Sequence, residues 1–439
     1  MPFITDKQTL TDLNLLGKYK TGSMFNLFNN VRTRGGELLL EEMFRTPLTD
    51  AASVNARAAR IRYVQSLAIG LEINRDLAEQ ASGYLTGSRP GGRLASLFHC
   101  YLQRMEEMVY RSEQYQLHQR RIYAVQEVLL AASTLLGWLI KHEKADNPCK
   151  DLQQSLDRIV NAPGLRQLQA KYPYTVGQVA CCEYLFRNKF RRELEELLHI
   201  LYEFDVYISV AQVAENRRMT YAHAVGDGGL LIEAEDLRHP ALAGAVGNDI
   251  GLGAGQSLLF LTGANMAGKS TWMKTLGVSF YLGHMGFPVA ARRMSFRVME
   301  GLFTSINVPD DISNGWSHFY AEVMRVKDVA SQLSHGKRLF VLFDELFKGT
   351  NVKDAFDATL AVTQKLARYR NCAFIISTHI TEVGEALAGE PNVLFRYMPT
   401  AMEGVVPRYT YRLRKGITED RHGMMIIRNE RILELLTNP

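Results

Sequence analysis

The feature that most constrains the fold is a glycine-rich loop directly after a short apolar segment. Residues 257–262 read SLLFLT, a run of strand length, and "GANMAGKS" follows from Gly263 to Ser270. The loop fits the pattern G-x-x-x-x-G-K-[ST] at every fixed position, and helix-compatible residues come next. Strand, loop and helix in this order are the setting of a phosphate-binding loop, so the sequence predicts an α/β domain here.

Such a loop implies a nucleotide ligand. Its backbone N–H groups surround phosphate oxygens, and the positive end of the following helix points at them. We expect Lys269 to reach the β and γ phosphates of ATP and the Ser270 hydroxyl to bind Mg²⁺. The predicted nucleotide contacts are Gly263, Asn265, Met266, Ala267, Gly268, Lys269, Ser270 and Thr271. A purely structural glycine turn is the alternative, and the strand context disfavours it.

A second segment, "RLFVLFDELFKGTN", supplies carboxylates. The apolar run Leu339 to Phe343 predicts a buried strand that places Asp344 beside the loop, where it holds Mg²⁺ together with Ser270. Glu345 follows and is the candidate general base for the attacking water. An Asp-Glu pair alone is weak evidence, and its position after a buried strand is what favours catalysis.

A third segment, "CAFIISTHI", predicts another strand, which ends at Thr378 and His379. Ligand sites of parallel α/β sheets lie at the carboxyl ends of the strands. His379 is therefore a candidate sensor of the γ phosphate, with a hydrogen-bonded surface histidine as the alternative.

The chain changes character near residue 225. Residues 1–225 read as almost wholly helical, and "FRRELEELLHILYEFDVYISVA" carries apolar residues in steps of four and three from Phe190 to Ala211. This heptad seam predicts a stiff arm of long, roughly antiparallel helices, and an ordinary bundle core is equally compatible with it. Residues 226–439 alternate short apolar runs with helical segments, which predicts a mostly parallel sheet.

Composition adds weak constraints. The net charge of +5 is compatible with nucleic acid, although a solvated helix face explains each basic cluster as well. The five cysteines form no C-x-x-C pair and have no histidine at metal spacing, which predicts a reducing compartment and no zinc site. The N-terminus lacks a signal pattern, and the apolar run Val128 to Ile140 is shorter than a bilayer span, so we expect a cytoplasmic protein, with the nucleoid as one site, and no membrane partner.

Four segments in order carry a resemblance: "TGANMAGKST", "DDISNGWSHFYAEV", "FDELFKGTN" and "ISTH". Together they resemble the ATPase domain of the MutS family of DNA mismatch-repair proteins, a branch of the ABC-type ATPases, which shows "TGPNMxGKST", "DDxxxGxSTFxxE", "DExxxGTS" and "THY". The departures are Ala264, His318 and Asn351, and none of them removes a charged catalytic group. A bulky residue that covers adenine in the family is replaced by Ala245 or Val246. "TLTDLNLL" and the segments after it resemble the start of the family's helical core.

The resemblance implies an α/β P-loop ATPase domain of the ABC type at residues 226–439, with a C-terminal dimerisation segment. An all-α helical core or lever domain at residues 1–225 precedes it. It also implies a homodimer or heterodimer that binds DNA in repair, in which each nucleotide is completed by the partner's signature serine, here Ser317.

One family feature has no counterpart. Mismatch-repair members wedge the phenylalanine of a Phe-x-Glu motif into the mispaired step, as other minor-groove proteins do. The only Phe-x-Glu here is Phe343-Asp344-Glu345, which belongs to the predicted ATP site. We therefore expect structured or branched DNA to be preferred over single mismatches.

Three other functions deserve comparison. An ABC-type ATPase acting on RNA or ribosomes is the main alternative, since such dimers also serve there. A transporter motor is disfavoured because "LSGGQ" is replaced by "ISNGWS". A chromosome-organising ATPase is disfavoured because Lys269 and Asp344 lie in one continuous domain without an intervening long coil.

Overall fold

The structure of the chain is a computed structural model, and it divides into two compact units. The structure describes residues 2–17, 22–87, 91–111, 113–165, 172–264, 266–306, 318–403, 406–418 and 435. The α/β unit comprises residues 1–27, 46–58 and 216–439, and the helical unit comprises residues 28–45 and 59–215. The mixed helical and α/β character predicted from the sequence is confirmed.

Regular elements alternate in type only after residue 216. The helices of the described residues are α1 (Lys7–Asp12), α2 (Met24–Phe28), α3 (Arg34–Arg45), α4 (Ala51–Leu67), α5 (Arg75–Thr86), α6 (Arg93–Tyr110), α7 (Gln114–Lys141), α8 (Lys150–Val160), α9 (Val176–Tyr184) with a π turn (Leu185–Lys189), α10 (Arg191–Asn216), α11 (Lys269–His284), α12 (His318–Ser334), α13 (Val352–Leu366) and α14 (Thr381–Ala386). The strands are β1 (Thr220–Tyr221), β2 (His223–Val225), β3 (Leu230–Leu237), β4 (Asn248–Gly253), β5 (Leu258–Gly263), β6 (Pro288–Val289), β7 (Arg293–Arg297), β8 (Gly301–Ser305), β9 (Leu339–Asp344), β10 (Ala373–Ser377), β11 (Val393–Met398), β12 (Thr400–Glu403), β13 (Val406–Tyr409) and β14 (Arg414–Lys415).

A six-stranded sheet forms the centre of the α/β unit, in the order β14-β11-β5-β10-β9-β8. All neighbouring pairs are parallel except β11 and β14, which pair antiparallel at one edge. The central strands β5 and β10 are buried at every residue, as their continuous apolar sequences predict for a sheet covered on both faces. Their carboxyl ends reach the same edge of the sheet.

A smaller sheet, in the order β2-β7-β3-β4, accompanies the main one. Strands β3 and β4 pair antiparallel and shift register between Ala234 and Leu237. Asn248, at the start of β4, donates from Nδ2 to the carbonyl of Tyr411 and accepts at Oδ1 from the Leu413 N–H. These two bonds fix the segment before β14 against the start of β4.

Early residues of the chain complete the α/β unit. Asp12, at the end of α1, is buried and accepts at Oδ2 from the Thr304 hydroxyl at 2.8 Å and from the Ile306 N–H at 2.9 Å. Asp6 forms an ion pair with Arg325 of α12. The compact units therefore differ from a single division at residue 225, because polar contacts place α1 with the sheet rather than with the helices.

The helical unit buries its apolar seams between long helices. In α10, Leu194, Leu197, Leu201 and Phe204 are buried, as the heptad spacing predicts, whereas Phe190 lies outside the helix. Within this unit, α5 packs on α7 and α6 packs on α9.

A buried aspartate, Asp205, forms hydrogen bonds between residues near the two ends of this unit's sequence. Asp205 of α10 accepts from the N–H groups of Arg32 and Thr33 and from the Thr33 hydroxyl, at 2.7 to 3.1 Å. Burial raises the pKa of Asp205, and these hydrogen bonds oppose the rise.

Among the residues that the structure describes, two helices, α7 and α10, are long and apolar enough to cross a bilayer by length and composition alone. Helix α7 contains the apolar run Val128 to Ile140 and is longer than that run, because the helix begins at Gln114. Half of the apolar window of α7 and 78% of that of α10 are buried inside the protein. Core helices pass the same test, so this composition is weak evidence for a membrane.

Candidate nucleotide-binding site

The phosphate loop connects β5 to α11. Met266 and Gly268 both have positive φ, of 68° and 101°, and the left-handed conformation favours glycine at the second position. Gly268 caps the N-terminus of α11, which begins at Lys269. Met266 is exposed, while Ala267 is buried. The loop thus leaves the helix N-terminus and its free N–H groups at the carboxyl edge of the sheet, where an anion is stabilised.

Lys269 is a buried cation in this loop. Its Nζ donates to the carbonyl oxygens of Gly263 at 2.8 Å and Ala264 at 3.2 Å. Burial lowers the pKa of Lys269, and the carboxylates of Glu345 and Asp344 partly offset that effect. These three side chains, which the sequence assigns to two separate motifs, are therefore close enough to interact. Phosphate oxygens would replace neutral carbonyls as charged acceptors for this amine.

The Asp344 carboxylate is held at the end of β9. Strand β10 lies between β5 and β9, and the hydroxyl of Ser377, its last residue, donates to Asp344 Oδ1. Asp344 and Ser270 supply a carboxylate and a hydroxyl oxygen, the ligand type that Mg²⁺ prefers, so both residues fit the predicted metal. Ser377 is buried and was not assigned a role from the sequence, although it lies within "ISTH".

Glu345 begins a tight turn after β9. Its N–H donates to the carbonyl of Ser377 at 2.9 Å, and its carboxylate lies 3.5 Å from Lys348 Nζ. Glu345 and Phe347 have φ of 54° and 60°, a region that side chains other than glycine adopt at a cost of about 1–3 kcal/mol each. Backbone strain of this kind persists only where neighbouring structure holds it.

Helix α12 holds this turn. The buried Glu322 carboxylate accepts from the N–H groups of Phe347 and Lys348. The Phe319 and Phe347 rings lie 6.1 Å apart. A Cβ on Gly349 would lie 3.0 Å from the Phe319 nitrogen, so a larger residue there would have to displace the start of α12 slightly. Burial raises the pKa of Glu322 to about 7, although the Lys348 charge and these N–H groups oppose it.

Glu322 is a residue that the sequence analysis did not assign. The glutamate of "DDISNGWSHFYAEV" is its only sequence signal, and that signal carries no role by itself. Its contacts assign it to positioning, because it holds the backbone beside Glu345.

The remaining predicted residues are placed unevenly. His379 is exposed and follows Thr378, whose N–H donates to the Leu261 carbonyl at 3.2 Å. His379 therefore lies beyond the carboxyl end of β10. Asn265 and Ser317 lie outside the described residues.

A cavity of about 310 Å³ adjoins the phosphate loop, a volume within the range of small-molecule sites. Gly268 and Thr271 form its loop side, and Ala245 and Val246 lie on its wall. The residues on its wall that the sequence analysis missed include His239, Trp272, Met398 and Tyr411. These four residues come from four segments far apart in sequence, so no local pattern identifies them. The cavity has the position and size for the base and ribose of a nucleotide.

The indole of Trp272 forms part of the cavity wall and is almost fully buried. Its Nε1 has no hydrogen-bond partner among the described residues, although the side chain is only 3% exposed. A buried N–H without an acceptor costs about 1–3 kcal/mol. Because the Nε1 atom is itself buried, a molecule in the cavity would reach it only after a movement of the indole.

Comparison with known proteins places these segments in one family. The profile of MutS domain V matches residues 259–434, which include the phosphate loop, Asp344, Glu345 and His379. The chain is 28% identical to the "DNA mismatch repair protein MutS" of Petrotoga mobilis over 55% of this chain and 30% of the relative. It is 30% identical to that of a Synechococcus strain over 53% of this chain and 27% of the relative.

A longer match extends the similarity to the helices. The MutS protein of Thermotoga petrophila is 22% identical over 96% of this chain and 63% of the relative. The chain thus spans less than a third of the first relatives it matches and under two thirds of this one. The resemblance seen in the four sequence segments is confirmed: residues 259–434 match MutS domain V, and the chain is similar to MutS proteins over most of its length.

Proposed function

We propose that the chain is an ATP-dependent DNA-binding protein that binds and hydrolyses ATP as a dimer and thereby changes its grip on DNA. One observation carries the proposal. The carboxylates of Glu345 and Asp344 are close enough to the Lys269 ammonium to stabilise its charge. This group of side chains lies at the carboxyl edge of the sheet, beside a cavity of about 310 Å³. A buried amine, two carboxylates and a helix N-terminus are the groups that phosphoryl transfer to water requires.

Each group has a role in the proposed reaction. Lys269 exchanges its two carbonyl acceptors for β and γ phosphate oxygens, and the loop N–H groups with Thr271 hold the remaining oxygens. Ser270 and Asp344 hold Mg²⁺, which when bound neutralises developing charge on the phosphates. Glu345 takes the proton of the attacking water. His379 contacts the γ phosphate as a sensor.

The proposed site is shared between two subunits. Ser317 of the partner subunit contacts the nucleotide, and a C-terminal segment of the domain at residues 226–439 mediates the dimer. The link from α12 to the turn after β9 supports this proposal, because α12 starts one residue after Ser317 and Glu322 holds the backbone beside Glu345. A change in the position of Ser317 would therefore alter the position of Glu345, the general base, in the same subunit.

We propose that the helical part of residues 1–225, which the structure gives as residues 28–45 and 59–215, is a lever that grips DNA through phosphate contacts of lysine and arginine, in the cytoplasm or on the nucleoid. The relatives are DNA mismatch repair proteins by name, which supports DNA as the ligand, and the RNA or ribosome alternative gains no support from them. Phosphate contacts carry shape but little sequence information, so we propose a preference for branched or otherwise structured DNA.

The test is an ATPase and binding assay with perfect duplex, mismatched duplex, branched DNA, single-stranded DNA and ribosomes. We expect branched DNA to change the ATPase rate most, and duplex affinity to fall with salt at a log–log slope of about −0.9 per neutralised phosphate. We expect a ratio near one between mismatched and perfect duplex. A mismatch preference of about tenfold, or about 1.4 kcal/mol, would contradict the structured-DNA proposal, and a response to ribosomes alone would contradict DNA.

A further inference from the structure

Three helices of the helical unit bring two histidines and a glutamate together, far along the chain from one another. His99 lies on α6, His118 on α7 and Glu183 on α9. Glu183 Oε1 lies 3.7 Å from His99 Nδ1 and 3.6 Å from His118 Nε2, and the three ligand atoms lie within 4.8 Å of one another. His118 and Glu183 are buried, whereas His99 is half exposed and gives solvent access.

The spacing of these atoms matches a tetrahedral metal site. Zn²⁺ binds histidine nitrogen at about 2.0–2.1 Å and carboxylate oxygen at about 2.0–2.2 Å, which puts neighbouring ligand atoms roughly 3.3–3.5 Å apart. The two separations from Glu183 Oε1 exceed that value by only a few tenths of an ångström, and the two histidine nitrogens lie within 4.8 Å of each other. Closing the site around an ion therefore takes a movement of at most about 1.5 Å. Movement of that size is within the reach of side chains on neighbouring helices.

A second layer of contacts orients His118 as a ligand. Its Nδ1 lies 2.8 Å from Gln103 Oε1, which can only accept, so Nδ1 carries the proton and Nε2 presents its lone pair. Metal-bound histidines almost always donate their other N–H in this way. The Gln103 amide nitrogen lies 3.3 Å from His99 Nε2. Metal binding at His99 Nδ1 moves its proton to Nε2, which can then bond water because the ring is half exposed.

The same groups also have partners within the chain. Arg187 Nη1 lies 3.5 Å from Glu183 Oε1, the Tyr84 hydroxyl lies 3.1 Å from His118 Nε2, and Cys100 Sγ lies 3.5 Å from Glu183 Oε2. Arg187 is also held 4.9 Å over the Tyr84 ring. A buried carboxylate neutralised by Arg187 alone is therefore the competing explanation that a test must separate.

We propose that His99, His118 and Glu183 bind a divalent transition metal ion, for which Zn²⁺ is the best chemical match, with the fourth position open to water beside His99. Two imidazoles and one carboxylate suit Zn²⁺ and not Mg²⁺, which prefers oxygen ligands throughout. The ion would fasten α6 to α7 and α9. The spacing of the cysteines predicts no zinc site. The proposed site contains no cysteine, so that spacing gives no information about it.

The experiment uses the untagged full chain, stripped with chelator, dialysed and titrated with ZnCl₂ by calorimetry, and with Co²⁺ by visible absorption. We expect one ion per chain, tetrahedral Co²⁺ bands, and a higher unfolding midpoint with Zn²⁺. His99→Ala is the main variant because its half-exposed ring can be removed with little effect on packing, and Glu183→Gln removes the anionic ligand. Each should weaken Zn²⁺ binding at least about tenfold with an unchanged circular dichroism spectrum.

His142→Ala is the matched control, since His142 follows α7, is half-buried against Trp138 and lies outside the cluster. It should bind Zn²⁺ as the parent chain does. The proposal is overturned if the parent chain binds no Zn²⁺ at saturating concentration, which would leave Arg187 as the partner of Glu183. It is equally overturned if His99→Ala binds Zn²⁺ as tightly as the parent chain.

Discussion

The two compact units bring polar and charged side chains together in different ways. In the α/β unit, Lys269, Asp344 and Ser377 each follow or end a buried strand, and the sheet brings those ends to one edge. In the helical unit, Glu183 meets His118 and His99 only because three helices pack together. A site at strand ends leaves a local record in the sequence, whereas a site between helix faces leaves none.

The largest expected effect concerns the α/β unit. Lys269→Ala should abolish tight ATP binding, because the helix N-terminus alone does not replace a buried amine. Glu345→Gln should keep ATP binding and slow hydrolysis by about 10² to 10⁴-fold, because the amide cannot take a proton. Equilibrium binding of ATP and single-turnover hydrolysis measure the two steps separately. Equal hydrolysis by the Gln variant and the parent would remove Glu345 from the role of base.

The second prediction concerns sharing of the site between subunits. Ser317→Arg and Lys269→Ala proteins should each be inactive alone, and equal mixing should restore roughly a quarter of parental activity, since half of the dimers are mixed and each has one intact site of two. Steady-state ATPase rates after subunit exchange measure this. A mixture that stays inactive although mass spectrometry shows exchange would leave each site within one subunit.

The third prediction tests whether the helical unit depends on its own buried acid. In Asp205→Asn, the N–H groups of Arg32 and Thr33 face a neutral amide in place of a carboxylate. The free energy of unfolding of the helical unit should therefore fall by about 2–4 kcal/mol. Peptide-resolved hydrogen exchange measures this in α3 and α10. Asp157→Asn on α8, whose carboxylate is exposed, should change stability by less than about 0.5 kcal/mol. Equal loss of protection in β5 and β9 would show that the two units unfold together.

The smallest expected effect is a pH dependence at Glu322. Its pKa, raised to about 7 by burial, means that the folded chain keeps a proton that the unfolded chain releases above its ordinary pKa of 4.5. Stability should therefore fall as pH rises from about 4.5 to 7, by an amount on the order of 1 kcal/mol, and Glu322→Gln should remove this fall. Urea unfolding at several pH values measures the slope.

Glu300→Gln is the control of opposite sign. Burial alone would raise the pKa of Glu300, but hydrogen bonds from the Arg338 N–H and Lys337 outweigh it and the pKa is lowered. This group adds stability above its ordinary pKa and loses it as pH falls, so its removal should weaken stability near neutral pH. If both variants changed the slope in the same direction, local burial would not explain the difference.

How much was predictable follows the same division. The phosphate loop, Asp344 and Glu345 could be named from the sequence because each is adjacent to an apolar strand, and the parallel sheet follows from the same runs. Glu322, Trp272 and the cavity beside Gly268 could not, because their roles come from contacts across segments that have no fixed spacing. The boundaries of the compact units also could not be predicted from a change in local composition, because Asp12 forms a hydrogen bond with Thr304, 292 positions away.

That bond has a consequence for the order of events during synthesis. Residues 28–45 and 59–215 emerge from the ribosome as a nearly continuous stretch whose contacts are all available before the sheet exists. The helical unit can therefore fold during translation, while α1 must wait until β8 and Arg325 have been made. During that interval Leu13 and Leu15, which are buried in the finished protein, remain uncovered by the sheet. A slow or stalled ribosome would thus expose these early residues to chaperones for longest.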